Sequence, residues 1–298
     1  MTRPHWEDLP ETVRDTVQQQ CGPVLKAETA TSGIMPGLAA RLHTETGSVF
    51  LKAVQMGSSA AALHLREEWA NRALPEEVPA PRMLWRGTVD GWHVMVFEFV
   101  NDNSRHADLL PGSPDLPAVL DTLALLGRLL TPGPNGAMPV SHNVASLQAK
   151  ARHLLEGGAL DDRELYAAAL EQFSVEQLRG DTLLHYDLSA GNLLVARGRV
   201  HVLDWSFAVR GAAWIDCALF APRLIQAGHS PAQVDELLST VPAWRTAPRE
   251  AVAGLAALWT LFRVYKAMHG PEETREVRAR AAEAGRCWLV YAREIVRE

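Results

Sequence analysis

The sequence predicts an α+β protein in which a small five-stranded antiparallel sheet with one helix precedes a larger, mostly helical region. Two observations predict this fold class. Short runs of strand-forming apolar residues, separated by turn residues, fill much of the first 100 positions. After Val100 a polar stretch follows, and the chain then changes to apolar residues at helical spacing. We therefore expect two parts, residues 1–100 and residues 101–298.

The first part contains the turn residues that antiparallel strands require. Thr44–Gly47 and Asp90–Gly91 each suit the connection of a hairpin. A longer loop, Thr31–Gly37, separates the first two strands. The predicted strands are Val24–Ala30, Leu38–Thr44, Val49–Val54, Met83–Gly87 and His93–Phe99, with a short amphipathic helix at Glu11–Gln20 and a helix at Ala61–Leu74 between the third and fourth strands.

The second part reads as helical, with one predicted hairpin from Leu193–Ala196 to Val200–Leu203. Leu116–Leu130 is apolar enough for a buried helix. Ser230 begins another helix as an N-cap with Pro231 in the first helical position. A long helix over Ala247–His269 ends at Gly270-Pro271, and a last helix starts near Glu272.

Composition excludes several classes of protein. A net charge of −6 argues against a nucleic-acid partner, which would select a basic surface. The three cysteines lack metal-ligand spacing and are odd in number, which is typical of free thiols in a reducing compartment. The apolar stretch Val252–Phe262 is too short to span a bilayer, and the N-terminus lacks a signal-peptide pattern. We expect a cytoplasmic monomer or homodimer without a membrane partner.

One segment carries a recognisable chemistry. It contains His185, Asp187 and Asn192 in the pattern H-x-D-x-x-x-x-N, and an Asp-Trp pair begins at Asp204. Phosphoryl transfer needs a carboxylate that accepts or orients the acceptor hydroxyl, and an amide and a second carboxylate that hold Mg²⁺. Asp187 is therefore the candidate base, and Asn192 and Asp204 are the candidate metal ligands.

A lysine in the third predicted strand fits the same chemistry. Lys52 lies between apolar residues and precedes a helix that carries Glu67 and Glu68. Such a lysine can bind the α- and β-phosphates of a nucleotide while an acid on the helix holds it. The two glutamates point about 100° apart on a helix, so one of them faces the sheet.

These motifs resemble the aminoglycoside phosphotransferase and choline kinase-like family, small-molecule relatives of the protein kinases. The resemblance extends to Gly211 and Asp216, which match a G-x-x-x-x-D stretch. It implies a bilobal protein-kinase-like fold, ATP or GTP with Mg²⁺, and a small-molecule hydroxyl acceptor. It departs from the family at Tyr186, where glycine is usual, and at Ser206, where an acid is common.

The resemblance also assigns residues beyond the motif. It favours Glu67 over Glu68 as the partner of Lys52, and it implies that the Glu98 carbonyl and the Val100 amide pair with adenine. Ser32 and Gly33, in the loop ahead of Lys52, could present backbone amides to the phosphates. His185 should bond to backbone beneath the loop, and Asp216 should brace it.

The sequence thus predicts an ATP-dependent O-phosphotransferase whose leading acceptor is an antibiotic of aminoglycoside or related type, giving resistance or self-protection. A metabolic kinase of a sugar, amino alcohol or amino acid, and a non-catalytic kinase-like binding protein, are the alternatives. A cationic acceptor would require carboxylates, whereas a neutral or anionic one would require amides, aromatic residues such as Tyr186, or arginines such as Arg210 and Arg223. The candidate carboxylates are Asp108, Asp161, Asp162, Asp235 and Glu298.

Overall fold

A computed structural model describes residues 4–30, 36–101, 103–157 and 160–297 of the chain. The described residues up to position 106 form two α-helices and six strands. These are α1 (Glu11–Cys21), β1 (Val24–Thr29), β2 (Leu38–Thr44), β3 (Gly47–Gln55), α2 (Ala61–Ala73), β4 (Met83–Val89), β5 (Trp92–Glu98) and β6 (Arg105–His106).

The remaining residues are mainly helical. They form α3 (Leu116–Leu129), α4 (Ser141–Glu156), α5 (Arg163–Glu171), β7 (Thr182–Leu184), β8 (Leu193–Ala196), β9 (Arg199–Val202), β10 (Val209–Gly211), α6 (Ile215–Gln226), α7 (Pro231–Ser239), α8 (Arg249–His269) and α9 (Glu272–Arg297).

The chain divides into two compact units. The first contains the residues up to Arg105 together with Leu194–Phe207, and the second, the helical unit, contains His106–Leu193 and the residues from Ala208 onward. The β8–β9 strands and Asp204 therefore belong largely to the first unit, although they follow residue 100 in the sequence. This return of the chain was not part of the predicted division into residues 1–100 and 101–298.

The first unit is built on an antiparallel sheet with the strand order β1-β2-β3-β5-β4. Apolar residues alternate along its strands, so one face is continuous and apolar. Helix α1 covers this face with Val13 and Val17, which are one turn apart and fully buried. The buried cluster on this face is Trp6, Leu9, Val13, Val17, Leu38, Ala40, Leu42, Leu51, Ala53, Val94 and Val96.

Lys52 lies between Leu51 and Ala53, so the strand alternation turns its side chain to the other face of the sheet. In the register, Lys52 pairs with Ala39 on β2 and with Met95 on β5. Two flanking strands thus hold its backbone, and α2 lies on the side to which the lysine points.

The helical unit is organised around α8. Every residue from Ala251 to Leu261 is buried, as expected for a helix that is apolar on all sides. α8 packs against α4, α5, α6 and α9. A Cβ added to Gly285 on α9 would lie 2.4 Å from the Thr260 hydroxyl oxygen, so glycine permits the close approach of α8 and α9. Of the described helices, α8 alone has the length and hydropathy of a membrane span, yet 61% of its most apolar window is buried in the protein.

The five predicted strands of the first part, its two helices, the β8–β9 hairpin and the long C-terminal helices are all present. The N-cap predicted at Ser230 is present as well, because its hydroxyl accepts from the Gln233 backbone amide, and the Gln233 side chain accepts from the Ser230 amide in return. Sequence periodicity did not identify the helices α4, α5 and α6 or the short strands β6, β7 and β10. β7 and β10 pair with each other across residues that are distant in sequence, with Leu184 opposite Val209.

Candidate active site

In the first unit, Lys52 on β3 forms an ion pair with Glu67 on α2. The lysine Nζ is 2.6 Å from Glu67 Oε1, and the two side chains are 17% and 4% exposed. Burial opposes the charge of Lys52, but Glu67 and Asp204 together raise its pKa above the ordinary value. Burial, opposed by Lys52, raises the pKa of the Glu67 carboxyl to about 7.

The neighbouring Glu68 has a different partner. Its Oε1 is 2.8 Å from Nη1 of Arg86 on β4. The pairing with Lys52 therefore falls on Glu67, as the resemblance favoured. The expectation that only one of the two glutamates faces the sheet was wrong, because Glu68 also reaches sheet residues, Arg86 on β4 and His93 on β5.

Asp204 is the second carboxylate beside Lys52. Its Oδ1 is 3.6 Å from Lys52 Nζ, and the hydroxyl of Ser206 donates to the same oxygen at 2.6 Å. The serine that departs from the family pattern thus orients the aspartate. Asp204 adopts a left-handed backbone conformation with φ 60°, and Trp205 is 1% exposed and donates from Nε1 to the Val202 carbonyl. The buried indole anchors the turn.

The predicted adenine-binding segment follows β5. Phe97 is 5% exposed. The Glu98 amide donates to the Arg82 carbonyl at 2.8 Å, and the Glu98 carboxylate accepts from the Arg82 amide at 3.1 Å. Regular strand structure ends at Glu98, so Val100 lies outside the ladder. Ser32 and Gly33 lie outside the described residues.

His64 is a residue of this region that sequence reasoning missed. It lies on α2 one turn before Glu67 and is 6% exposed. A Cβ atom added to Gly37 would lie 3.6 Å from its Nε2. Burial and the charge of Lys52 lower its pKa to about 4, so the ring is neutral near pH 7. Its position three residues before Glu67 was the available signal.

In the helical unit, Asp216 holds the loop that carries Asp187. Its two carboxylate oxygens accept from the backbone amides of His185 at 2.9 Å and Tyr186 at 2.7 Å. Asp216 is buried, and this burial raises its pKa above the ordinary value. His185 is 0% exposed, and its Nδ1 accepts from the Asp187 amide at 3.2 Å. Both residues therefore have the structural roles that the resemblance implied.

Tyr186 occupies a left-handed backbone position with φ 70°. Glycine adopts this region without a steric penalty, which explains why glycine is usual there. The Tyr186 hydroxyl is buried and has no hydrogen-bond partner among the described residues. Burial and the nearby carboxylates of Asp216 and Asp187 raise the pKa of the phenol.

Asn192 ends a short 3₁₀ turn after the loop, Ala190–Asn192. Its Nδ2 donates to the Asp187 carbonyl at 2.8 Å. This bond uses the nitrogen end of the amide and leaves the oxygen end for a cation, as magnesium coordination requires.

The carboxylate of Asp187 has an arginine partner. Arg223 on α6 places Nη2 3.2 Å from Asp187 Oδ1, with side-chain exposures of 17% and 38%. The sequence offered Arg223 as a candidate for an anionic or neutral acceptor, but the contact with Asp187 was not predicted. Arg210 lies elsewhere in the unit, 3.6 Å from Asp181.

Three acids considered for a cationic acceptor have other partners. Asp162 pairs with Arg286 at 3.2 Å, and Asp235 accepts from the Trp244 indole at 2.9 Å. Asp108 accepts from the Leu110 amide at 3.0 Å. Each of these three carboxylates therefore has a structural interaction within the protein. Glu298 lies outside the described residues.

The sheet with its paired lysine, and the His-x-Asp loop braced by a buried aspartate, place the protein in the class with a protein-kinase-like fold. The chain belongs to the phosphotransferase enzyme family (APH), whose family model matches residues 38–250. A comparison with curated proteins found no match.

Solved structures share this fold at low sequence identity. Choline kinase LicA from Streptococcus pneumoniae has a TM-score of 0.66 at 16% identity, covering 92% of this chain and 96% of that chain. A putative aminoglycoside phosphotransferase from Ralstonia eutropha has a TM-score of 0.63 at 13% identity, covering 95% and 98%. A spectinomycin phosphotransferase, solved with ADP and spectinomycin, has a TM-score of 0.53 at 12% identity, covering 88% and 89%.

Proposed function

We propose that the protein transfers the γ-phosphate of ATP, or of GTP, to a hydroxyl group of a small molecule. The observation that carries the proposal is the Asp187 loop. Asp216 and His185 fix its backbone through three hydrogen bonds, at 2.7 to 3.2 Å, while the Asp187 carboxylate stays 38% exposed. A fixed backbone with an accessible carboxylate is what a positioned base requires.

In the proposed reaction, the acceptor oxygen attacks the γ-phosphorus and the bond between this phosphorus and the β–γ bridging oxygen breaks. Asp187 orients the acceptor hydroxyl and takes its proton, and the nucleoside diphosphate leaves. Lys52, held by Glu67, binds the α- and β-phosphates. The Glu98 carbonyl and the Val100 amide bind the adenine or guanine ring of the nucleotide. Ser32 and Gly33 offer backbone amides to its phosphates.

The donor atoms fit magnesium. Asp204 presents a carboxylate that is 33% exposed, and Asn192 has its amide oxygen left over from the bond to the Asp187 carbonyl. Hard oxygen donors, few from the protein, are the ligands Mg²⁺ selects. When bound, the cation neutralises charge on the β- and γ-phosphate oxygens. The described residues contain no group of three or more His, Cys, Asp or Glu side chains that could hold a metal ion, so the proposed site relies on Asp204, the Asn192 amide and oxygens of the nucleotide and water.

Localisation, oligomeric state and partners are also part of the proposal. The described cysteines, Cys21, Cys217 and Cys287, form no disulfide, which fits a cytoplasmic enzyme. We further propose that the protein is a monomer or homodimer. Its partner is a small hydroxyl compound, and it binds neither nucleic acid nor a membrane. A non-catalytic binding protein would retain nucleotide binding without turnover.

The test is the Asp187→Asn variant, with ATP consumption measured against a panel of hydroxyl compounds. We expect kcat to fall by at least about a hundredfold while nucleotide affinity changes little, because the base acts on the acceptor. Asp181→Asn is the matched control, since Asp181 is exposed and pairs with Arg210. Turnover of Asp187→Asn equal to that of the control would refute the assignment.

A further inference from the structure

The side chains around Asp187 in the helical unit form a cluster of positive charges. We call it the basic cluster, and its members lie on α4, α6, α8 and α9: Lys150, Arg223, Arg263, Lys266 and Arg278. Arg223 contacts Asp187 directly at 3.2 Å. Arg263 is close enough to Arg223, Asp187 and Arg278 for the charge of each to act on it. Lys266 in turn is close enough to Arg278, Lys150 and Arg263.

Aromatic rings hold the central members of the basic cluster. The guanidinium carbons of Arg223 and Arg263 lie 5.3 Å and 4.6 Å from the centre of the Trp259 ring. Lys266 Nζ lies 5.8 Å from the Phe262 ring centre, and the Arg263 guanidinium carbon lies 5.7 Å from it. Cation–π contacts of this length attract a cation to the ring face and do not require a hydrogen-bond acceptor for its N–H groups. The rings therefore position these cations. Arg223 Nη2 donates to Asp187 Oδ1 at 3.2 Å, while Arg263 Nε has no hydrogen-bond partner among the described residues.

The charge of the cluster is not balanced. Burial and the charge of Arg223 lower the pKa of Arg263 to about 9. Burial, followed by the charges of Arg278, Lys150 and Arg263, also lowers the pKa of Lys266. Arg263 Nε is buried and has no hydrogen-bond partner among the described residues. A buried guanidinium donor without an acceptor is costly, and an anionic ligand would relieve this cost.

The basic cluster is therefore a local excess of cations in a chain whose net charge is −6. Asp187 is the carboxylate that attracts both Arg223 and Arg263. In the proposed reaction this same carboxylate must release Arg223, at least in part, to receive the acceptor hydroxyl. An incoming anion would take over the arginine and free the base in one step.

From this geometry we infer that the acceptor is a small hydroxyl compound carrying an anionic oxygen group, a carboxylate or a phosphate ester. The inference rests on the proposed function. The anionic group binds Arg223 and Arg263, with planar guanidinium forks that match carboxylate and phosphate oxygens. The hydroxyl of the same molecule then lies at Asp187. A polycation such as an aminoglycoside would meet repulsion from the cluster.

The first experiment measures ATP consumption with four classes of hydroxyl compound: hydroxy acids, phosphate esters of sugars and polyols, neutral sugars and polyols, and amino alcohols with aminoglycosides. We expect turnover in one of the two anionic classes, and the class that reacts distinguishes carboxylate from phosphate. Turnover confined to neutral or cationic compounds would overturn the inference and leave the proposed function standing.

The second experiment uses variants and separates the KM values of the two substrates. We expect Arg263→Met to raise KM for the anionic acceptor at least about tenfold, since it removes charged hydrogen bonds. KM for ATP should stay unchanged. Arg278→Gln should raise acceptor KM to a smaller extent, while Arg280→Gln on the same helix, with a side chain 66% exposed and paired with Glu276, serves as control. A rise in KM for ATP alone would assign the cluster to the nucleotide and overturn the inference.

Lys266→Met is the second cluster variant in case Arg263→Met does not fold, and thermal melting shows which variants are folded. If no compound is phosphorylated, intrinsic ATP hydrolysis and its dependence on Asp187 test the proposed function separately. Isothermal titration with the hydroxy acids and phosphate esters then tests the cluster. Saturable binding that Lys266→Met or Arg263→Met weakens supports the inference, and its absence for all of these anions contradicts it.

Discussion

The cations of the two units are balanced in different ways. In the first unit Lys52 is a single cation with two carboxylates within 3.6 Å, Glu67 and Asp204. In the helical unit Asp187 is the carboxylate that attracts both Arg223, which contacts it, and Arg263, and both guanidinium groups lie near the Trp259 ring. Lys52 is therefore fixed before any ligand arrives, whereas the basic cluster keeps unsatisfied positive charge.

This difference shows why net charge is a poor guide to the acceptor. The excess of acids over bases in the chain gives −6, yet the charge beside Asp187 is positive. Local charge and the number of unsatisfied donors, and not the sum over the chain, decide which ligand a site favours.

Asp204→Ala should have the largest effect in the first unit. It removes a proposed metal ligand and one of the two carboxylates beside Lys52, so we expect kcat to fall by at least about a thousandfold. Steady-state ATP consumption over a range of Mg²⁺ concentrations measures this. Ser206→Ala, which removes only the hydrogen bond to Asp204, is the comparison and should lose far less. Equal losses in the two variants would argue against a metal role for Asp204.

The contribution of the Lys52–Glu67 ion pair to stability can be tested by measuring the free energy of unfolding. Lys52→Met leaves Glu67 buried without its cation, and we expect the free energy of unfolding to fall by about 3 kcal/mol. The double variant Lys52→Met/Glu67→Gln should recover part of this loss, because the buried group is then neutral. Urea denaturation of the wild type and both variants provides the values. A double variant less stable than Lys52→Met would contradict the pairing.

His64 should make the first unit sensitive to acid. Its pKa is lowered to about 4 in the fold, against an ordinary value of 6.5. Below pH 6.5 the unfolded chain binds a proton at His64 that the folded protein does not bind. The free energy of unfolding is therefore unaffected by His64 above this pH and decreases as the pH falls towards 4. We expect roughly 2 kcal/mol of this loss between pH 6.5 and 5.

The difference in unfolding free energy between pH 7.5 and 5 should shrink by that amount in His64→Gln. Other groups titrate in the same range, so the variant is compared with the wild type at both pH values. An identical pH dependence for the two proteins would show that His64 is not buried as a neutral ring.

The smallest expected effect concerns Tyr186 in the helical unit. Its buried hydroxyl has no partner among the described residues, so Tyr186→Phe should leave stability unchanged or raise it by about 1 kcal/mol. Thermal unfolding measures the change. A clear loss of stability would mean that the hydroxyl is hydrogen-bonded, for example to water.

Several features of the fold and the candidate site follow from local sequence patterns. Alternation along β3 places the Lys52 side chain on the face of the sheet opposite to that of Leu51 and Ala53. Helical geometry then allows one of Glu67 and Glu68 to reach Lys52. The His185 loop and Asp216 follow from motif spacing. These features depend on neighbouring residues or on a motif whose chemistry fixes the distances.

The features that sequence reasoning missed depend on long-range packing. Arg223 meets Asp187 across 36 residues, and Arg286 meets Asp162 across 124. The basic cluster combines side chains from four helices, and no periodicity within one helix indicates it. Arg263 lies at the end of the buried part of α8, where a polar residue would ordinarily mark the exposed face.

The central claim is that Lys52 serves the nucleotide and the basic cluster serves an anionic acceptor. The most direct test measures the KM values of both substrates in Lys52→Met/Glu67→Gln and in Arg263→Met. Our account predicts that the first variant raises KM for ATP, or lowers kcat, with little change in acceptor KM, and that the second raises acceptor KM alone. If both variants raise the same KM, or if the acceptor that reacts is a cation, the account is contradicted.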